Sequence, residues 1–99
     1  MPKSKPQAFL YPSAWDDLNR LTGAARREMI YAVDAIEKSP RLSASKRLTI
    51  PNETTEIRRY RLGHWRIIYA VVDEQPLVLA IRRRPPYDYE DLEELLEKL

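Results

Sequence analysis

Between residues 56 and 84 the alternation of apolar and polar side chains predicts three β-strands. The strands are expected at Glu56–Leu62, Trp65–Val72 and Leu77–Arg84, and all three are rich in β-branched and aromatic residues. Gly63-His64 is a suitable two-residue hairpin turn, because glycine accepts the positive φ that such a turn requires. Pro85-Pro86 ends the third strand, since proline supplies no N–H to a ladder.

Apolar residues at helical spacing predict helices on both sides of these strands. A first helix is expected to begin at Ser13, which can cap its N-terminus, and to end at Gly23. A second helix is expected from about Ala24 to Lys38, and a third from Asp88 to Leu99. A short β-prone run, Gln7–Tyr11, precedes the first helix.

The order β-α-α-β-β-β-α predicts an α+β fold. Helices that precede the strands favour a largely antiparallel sheet, here of four strands, with the helical hairpin packed on it and a C-terminal helix following. We expect one domain over residues 1–99, in which the Lys/Pro-rich residues 1–6 form a flexible lead-in. Residues 41–55 show no regular pattern and are expected to be irregular.

The predicted first hairpin gathers arginines on one face of the sheet. With Gly63-His64 in the turn, Arg61 pairs with Arg66, and alternation along the strand puts Arg59 on that same face. Directly opposed like charges cost a few tenths to about 1 kcal/mol. This face therefore needs negative charge, either from the protein's own carboxylates or from an external phosphate.

The third strand's contribution depends on its turn. A loop at Glu74-Gln75, or the longer Asp73–Pro76, pairs Val72 with Leu77 and places Arg83 opposite Arg66. An odd-length loop would instead put Arg82 and Arg84 on the arginine-bearing face, so both assignments are open at this point.

Charge is distributed unevenly along the chain, whose formal net charge is +2. Sixteen Lys/Arg and nine Asp/Glu give residues 1–87 a charge of +7, whereas one Lys and six acids give residues 88–99 a charge of −5. A basic body suggests a polyanionic partner. The alternative is purely structural, with arginines that protect sheet edges or pair with the acidic C-terminal helix.

Several classes of protein are disfavoured by composition. The chain has no cysteine and one histidine, so disulfides, thiolate metal sites and multi-histidine zinc sites are excluded, and we expect neither metal nor cofactor. No apolar run suits a membrane span or a signal peptide, which predicts a cytoplasmic protein that does not bind membranes.

The stretch Arg59-Tyr60-Arg61-Leu62-Gly63-His64-Trp65-Arg66-Ile67-Ile68-Tyr69 resembles the signature of the RelE/ParE superfamily, the toxins of bacterial type II toxin–antitoxin systems. The resemblance covers most of the chain. It includes Lys46-Arg47-Leu48 and the final strand running into Ile81-Arg82-Arg83-Arg84-Pro85-Pro86-Tyr87. It implies a compact α+β toxin with a curved antiparallel sheet, held inactive by a cognate antitoxin through which alone it reaches operator DNA.

The resemblance to RelE-like members implies cleavage of mRNA on the ribosome, without metal, by attack of a 2′-hydroxyl on the adjacent phosphate. It implies that Arg59 acts as a general base or stabilises charge, that Arg66 binds phosphate, and that Tyr87 orients the substrate or stacks on it. Arg83 or Arg84 stands for the arginine that helps the leaving group. The further residues predicted to bind RNA are Arg61, Lys46 and Arg47.

The sequence departs from RelE in lacking lysines near Ile57 and Arg59. Arginine is always charged and is a poor general base, so any nuclease activity would depend chiefly on electrostatics. One alternative is a ParE-like poison of DNA gyrase, and another is a degenerate member that only binds its antitoxin. A further hypothesis is that an antitoxin displaces the C-terminal helix with its stripe of Leu92, Leu95, Leu96 and Leu99.

Overall fold

A computed structural model describes residues 9–99. The elements are β1 (Phe9–Leu10), α1 (Pro12–Asn19), α2 (Gly23–Lys38), β2 (Ser45–Leu48), β3 (Glu56–Leu62), β4 (Trp65–Val72), β5 (Gln75–Arg83) and α3 (Leu92–Leu96). The flexible lead-in expected at residues 1–6 and the start of the first expected strand lie outside the described residues.

The strands form one mixed sheet in the order β1-β5-β4-β3-β2, which confirms the predicted α+β class. β1 runs parallel to β5, and every other neighbouring pair is antiparallel. The sheet has five strands instead of the predicted four, because β2 forms in the segment expected to be irregular. Four residues are too few for a periodic signal, and β2 is held in place by pairing with β3.

The helical hairpin forms as predicted, but its start differs in detail. Tyr11 occupies the N-cap position, and Pro12 is in the first turn, where its missing N–H is harmless. Ser13 is not the cap: its hydroxyl donates to the carbonyl of Leu79 at 2.8 Å and ties α1 to β5. α3 begins at Leu92 and not at Asp88, and Tyr89 before it has a positive φ of 64° that no helix allows.

The β3–β4 register is the predicted one, with Leu62 opposite Trp65 and Arg61 opposite Arg66. The β4–β5 register differs from the prediction. The turn is Asp73-Glu74, both with positive φ, so Val72 pairs with Gln75. A bulge follows between Ile68 and Tyr69, where Leu79 is the extra residue of β5.

The predicted pairing of Arg66 with Arg83 is therefore wrong. Arg66 lies opposite Arg82, and Arg83 lies opposite Trp65, so Arg83 is on the other face of the sheet. The structure has the alternative arrangement, in which Arg82 lies on the arginine-bearing face. The bulge in β5 produces this arrangement, and an odd-length loop does not.

Apolar side chains cover both faces of the central strands. On one face Ile67, Tyr69, Val78 and Ile81 pack against Met29 and other residues of the helical hairpin. On the other, Ile57, Ile68 and Leu79 pack with Leu95 of α3. Burial on both faces explains why β4 is an almost continuous apolar run. Within residues 9–99, no helix has the length and apolar character needed to cross a bilayer.

Candidate nucleic-acid interface

Four basic side chains share the face of the sheet that also carries α3. The register pairs Lys46 of β2 with Arg59 of β3, and Arg61 of β3 with Arg66 of β4. Alternation along β3 puts Arg59 and Arg61 on one side, so all four point the same way. We call Lys46, Arg59, Arg61 and Arg66 the cationic face.

Part of the cationic face lines an open groove at the β2 edge. The groove has a volume of about 430 Å³, and Lys46, Arg59 and Arg61 line it together with the backbone turn at Ser43-Ala44. Arg61 is exposed and Arg59 is half-buried. Within residues 9–99, no carboxylate forms an ion pair with any side chain of the cationic face. Its positive charge is thus available to an external anion.

Arg66 folds back over the hairpin turn that precedes it. Its Nη1 donates to the carbonyl oxygen of Gly63 at 2.8 Å and to that of Trp65 at 2.9 Å. These two bonds use only one nitrogen of the guanidinium, which has five N–H donors in all. They fix the side chain while leaving Nε and Nη2 for a phosphate, a group that arginine binds well in bidentate geometry.

Arg82, although opposite Arg66, is neutralised within the protein. Its Nη1 pairs with Asp17 of α1, and its Nη2 donates to Asp91 at 3.1 Å. Burial alone would lower the pKa of Arg82, but the two carboxylates outweigh that effect and raise it. The protein therefore supplies the negative charge for Arg82 and leaves the cationic face without it.

Tyr87 is attached to the same cluster. Its hydroxyl donates to Asp91 at 2.5 Å, and its ring lies 4.7 Å from that of Tyr89, centre to centre. Burial and the hydrogen bond to Asp91 both raise the pKa of Tyr87. The guanidinium carbon of Arg82 lies 5.7 Å from the ring centre. Tyr87 is predicted to contact substrate, and in this arrangement both its hydroxyl and its ring are already engaged.

The remaining predicted residues are dispersed. The guanidinium of Arg84 lies 5.1 Å from the ring centre of Tyr89, next to the Tyr87 cluster. Arg83 is on the opposite face, which is covered by α1 and α2, with its guanidinium 6.0 Å from the ring centre of Trp65. Arg47 is exposed on β2 and, opposite Arg58, points away from the cationic face.

Of the residues predicted from sequence, the structure thus brings together Arg59, Arg61, Arg66 and Lys46, and it separates Arg47 and Arg83 from them. Sequence analysis missed the roles of Asp17 and Asp91 on Arg82. Nothing in the neighbourhood of Asp17 along the chain indicates a partner 65 residues away.

No protein-family model matches the chain, and no curated protein sequence matches it. Solved structures do match. A chain of the archaeal RelE–RelB complex from Pyrococcus horikoshii superposes with a TM-score of 0.69 at 22% identity, covering 84% of this chain and 99% of that one. A chain of the RelBE2 toxin–antitoxin complex from Mycobacterium tuberculosis gives 0.67 at 20% identity, covering 81% and 99%. The isolated E. coli RelE toxin gives 0.65 at 18% identity, covering 94% and 97%.

This chain has the RelE fold. Identities of 18–22% establish the architecture, and any activity has to be argued from the side chains. On this RelE-like sheet, the side chains of the cationic face lie at the β2–β3–β4 side, and α3 covers the rest of the same face.

Proposed function

We propose that this chain is the toxin of a type II toxin–antitoxin system and that it cleaves mRNA on the ribosome in the cytoplasm. The observation that carries the proposal is the cationic face. Its arginines lie together without carboxylate partners among residues 9–99, on a fold shared with RelE. A polyanion satisfies such a surface, and the phosphates of a single-stranded RNA have the matching charge.

In the proposed chemistry the cationic face supplies charge stabilisation and water carries the protons. The 2′-hydroxyl of one nucleotide loses its proton to water and attacks the neighbouring phosphate to form a 2′,3′-cyclic phosphate, while the bond from phosphorus to the 5′-oxygen of the next nucleotide breaks and that oxygen takes a proton from water. Arg66 would bind that phosphate with its free donors, while Arg59 and Arg61 would stabilise the added negative charge of the transition state. Tyr87 and Arg84 lie beside this region and would contact the strand once the Tyr87 hydroxyl exchanges Asp91 for substrate.

We also propose that a cognate antitoxin is the protein partner and that operator DNA is reached only through it. Two of the solved structures that resemble this chain contain RelB bound to RelE. Exposed apolar side chains on the helical hairpin support a protein partner, because Trp15, Ile30 and Tyr31 leave large apolar surfaces in water. Docking of the antitoxin at α3, with displacement of that helix, remains the alternative place of contact.

One observation favours a second candidate, a poison of DNA gyrase. The position at 57 is a buried isoleucine, and the neighbouring cation at 59 is an arginine, which does not give up its proton at neutral pH. A toxin of this fold without proton transfer would act by binding instead of catalysis.

Primer extension on mRNA in a translating bacterial extract separates the two. The proposal expects cuts that require ribosomes and that fall at least about 100-fold in Arg66→Ala, since transition-state charge stabilisation is typically worth this much. The matched control is Arg27→Ala, which removes an exposed arginine on the outward side of α2. Uncut mRNA, together with cleaved supercoiled plasmid in the presence of gyrase, would refute the nuclease proposal and support the poison.

A further inference from the structure

A second basic cleft lies on the opposite face of the sheet, at the end where β5 finishes. It has a volume of about 340 Å³. Its lining residues are Asp17, Arg20, Leu21, Trp65, Ile81, Arg82 and Arg83. This cleft lies on the sheet face that is covered by α1 and α2, so it is separate from the groove on the cationic face, which is the α3 side.

Positive charge in this cleft is not cancelled by its single acid. The Asp17 carboxylate already accepts the backbone N–H of Ile81 at 2.9 Å and pairs with Arg82. Its contact with Arg20 is long, at 3.6 Å, and the Arg20 side chain is 78% exposed. Arg83 forms no ion pair among the residues that the structure describes, and its guanidinium stays beside the indole ring of Trp65.

An aromatic ring beside guanidinium groups whose charge is not fully compensated is suited to one ligand class in particular. A nucleobase stacks on aromatic rings and on guanidinium planes, and the attached phosphate accepts hydrogen bonds from arginine. The volume is at the lower end of the range for small-ligand sites and is sufficient for a single nucleotide.

The course of β5 connects this cleft to the cationic face. Arg82 and Arg83 are consecutive residues that point to opposite faces, opposite Arg66 and Trp65 respectively. Among residues 9–99, β1 pairs with β5 at Leu77 and Val78 and no strand lies beside the end of β5, where the Asp17 side chain bonds to Ile81. A single strand bound along Arg66 would have to pass this end of β5 to reach Trp65.

We infer that the cleft at Trp65, Arg83 and Arg20 is a subsite for a flanking nucleotide of the same RNA, with its base on the Trp65–Arg83 surface and its phosphate on the guanidinium groups. The inference rests on the proposed function, because it takes single-stranded RNA as the ligand of the cationic face.

The test uses Trp65 as its own reporter. In a Trp15→Phe background Trp65 is the only tryptophan, and its emission is followed while a hexa-adenylate is added. Stacking of a base is expected to quench it. Arg83→Ala should weaken binding about five- to tenfold and make the slope of log affinity against log salt shallower by about 0.7, the value of one single-strand phosphate contact. Arg83→Lys should keep that slope while losing part of the quenching.

Arg27→Ala in the same background is the control and should bind like its parent. Suppose that the oligonucleotide binds and that Arg66→Ala weakens it, but that Trp65 emission and the Arg83→Ala affinity stay unchanged. The cleft is then not a subsite, and the proposed function stands. If hexa-adenylate does not bind at all, neither at low salt nor in any variant, the inference and the RNA-binding proposal both fail. Circular dichroism of Arg83→Ala confirms that the exposed substitution leaves the fold intact.

Discussion

The Asp17 side chain bonds to the end of β5. Removing this side chain should lower the free energy of unfolding by more than is usual for a residue outside the core. Asp17 Oδ2 accepts the N–H of Ile81 at 2.9 Å and pairs with Arg82, and the side chain is only 12% exposed. In the part of the chain that the structure describes, β1 pairs with β5 no further than Val78, so no strand there can replace the lost acceptor. Asp17→Ala is the perturbation.

Two costs add in Asp17→Ala. A largely buried N–H without an acceptor costs about 1–2 kcal/mol. Arg82 loses one of its two carboxylates but keeps Asp91, and this costs about 1 kcal/mol. The sum is about 2–3 kcal/mol, which for a domain of this length corresponds to a fall in Tm of about 10–20 °C. Asp17→Asn retains a carbonyl oxygen for Ile81 and should lose only about 1 kcal/mol.

Urea unfolding and thermal unfolding, both followed by circular dichroism, give the free energies. The control is Asp16→Ala, the exposed neighbour on the same helix, with an expected change below about 0.5 kcal/mol. Equal stabilities of Asp17→Ala and Asp16→Ala would refute the argument. Equal losses for Asp17→Ala and Asp17→Asn would show that the charge, and not the capping of the β5 edge, is what matters.

Two further predictions concern the packing of α3 and the ion pairs of Glu56 with Arg41 and Arg58. Leu95→Ala should cost about 2–4 kcal/mol because Leu95, on the side of α3 that packs against the sheet, is 3% exposed, while Leu99→Ala at 45% exposure should be near neutral. Equal losses in urea unfolding would contradict this. Hydrogen bonds from Arg41 and Arg58 lower the pKa of Glu56 below 4.5. Its stabilising contribution is therefore present above pH 4.5 and is lost as the pH falls through the lowered value. Urea midpoints measured from pH 6 to pH 3 should fall less steeply in Glu56→Gln than in the wild type, and parallel curves would contradict the assignment.

The residues of the first hairpin were sufficient to predict its turn and its register. Gly63 takes a positive φ of 57°, as the sequence required, and the register of β3 with β4 follows directly from that turn. Three members of the cationic face, Arg59, Arg61 and Arg66, could therefore be placed together from the sequence.

The register of the third strand could not be predicted in this way, because its sequence does not indicate two features of its backbone conformation. Asp73 and Glu74 both adopt positive φ, although neither is glycine, and Leu79 bulges out of the ladder. The turn shifts the register by two residues, which keeps every side chain on its predicted face, and the bulge shifts it back by one residue, which moves every later side chain to the opposite face. That shift is why Arg82 and not Arg83 lies opposite Arg66.

Contacts between segments that are distant along the chain could not be predicted from the sequence either. Lys46 joins the cationic face only because β2 pairs with β3, and a four-residue strand has no detectable period. The expected helix from Asp88 is shortened to Leu92–Leu96, while Asp91 and Tyr87 bond to each other beside Arg82. Propensity favoured a helix there, and tertiary contacts decided otherwise.

The central claim is that the cationic face binds the phosphates of single-stranded RNA, and the salt dependence of binding tests it directly. Fluorescence anisotropy of a labelled RNA gives the affinity at increasing salt. Four cations imply a slope of log affinity against log salt of about −3, or steeper if further contacts form. Arg59→Ala/Arg66→Ala should make the slope shallower by about 1.4, whereas Arg26→Ala/Arg27→Ala, with the same change in net charge, should leave it unchanged. Equal slopes and affinities for the two double variants would contradict the claim.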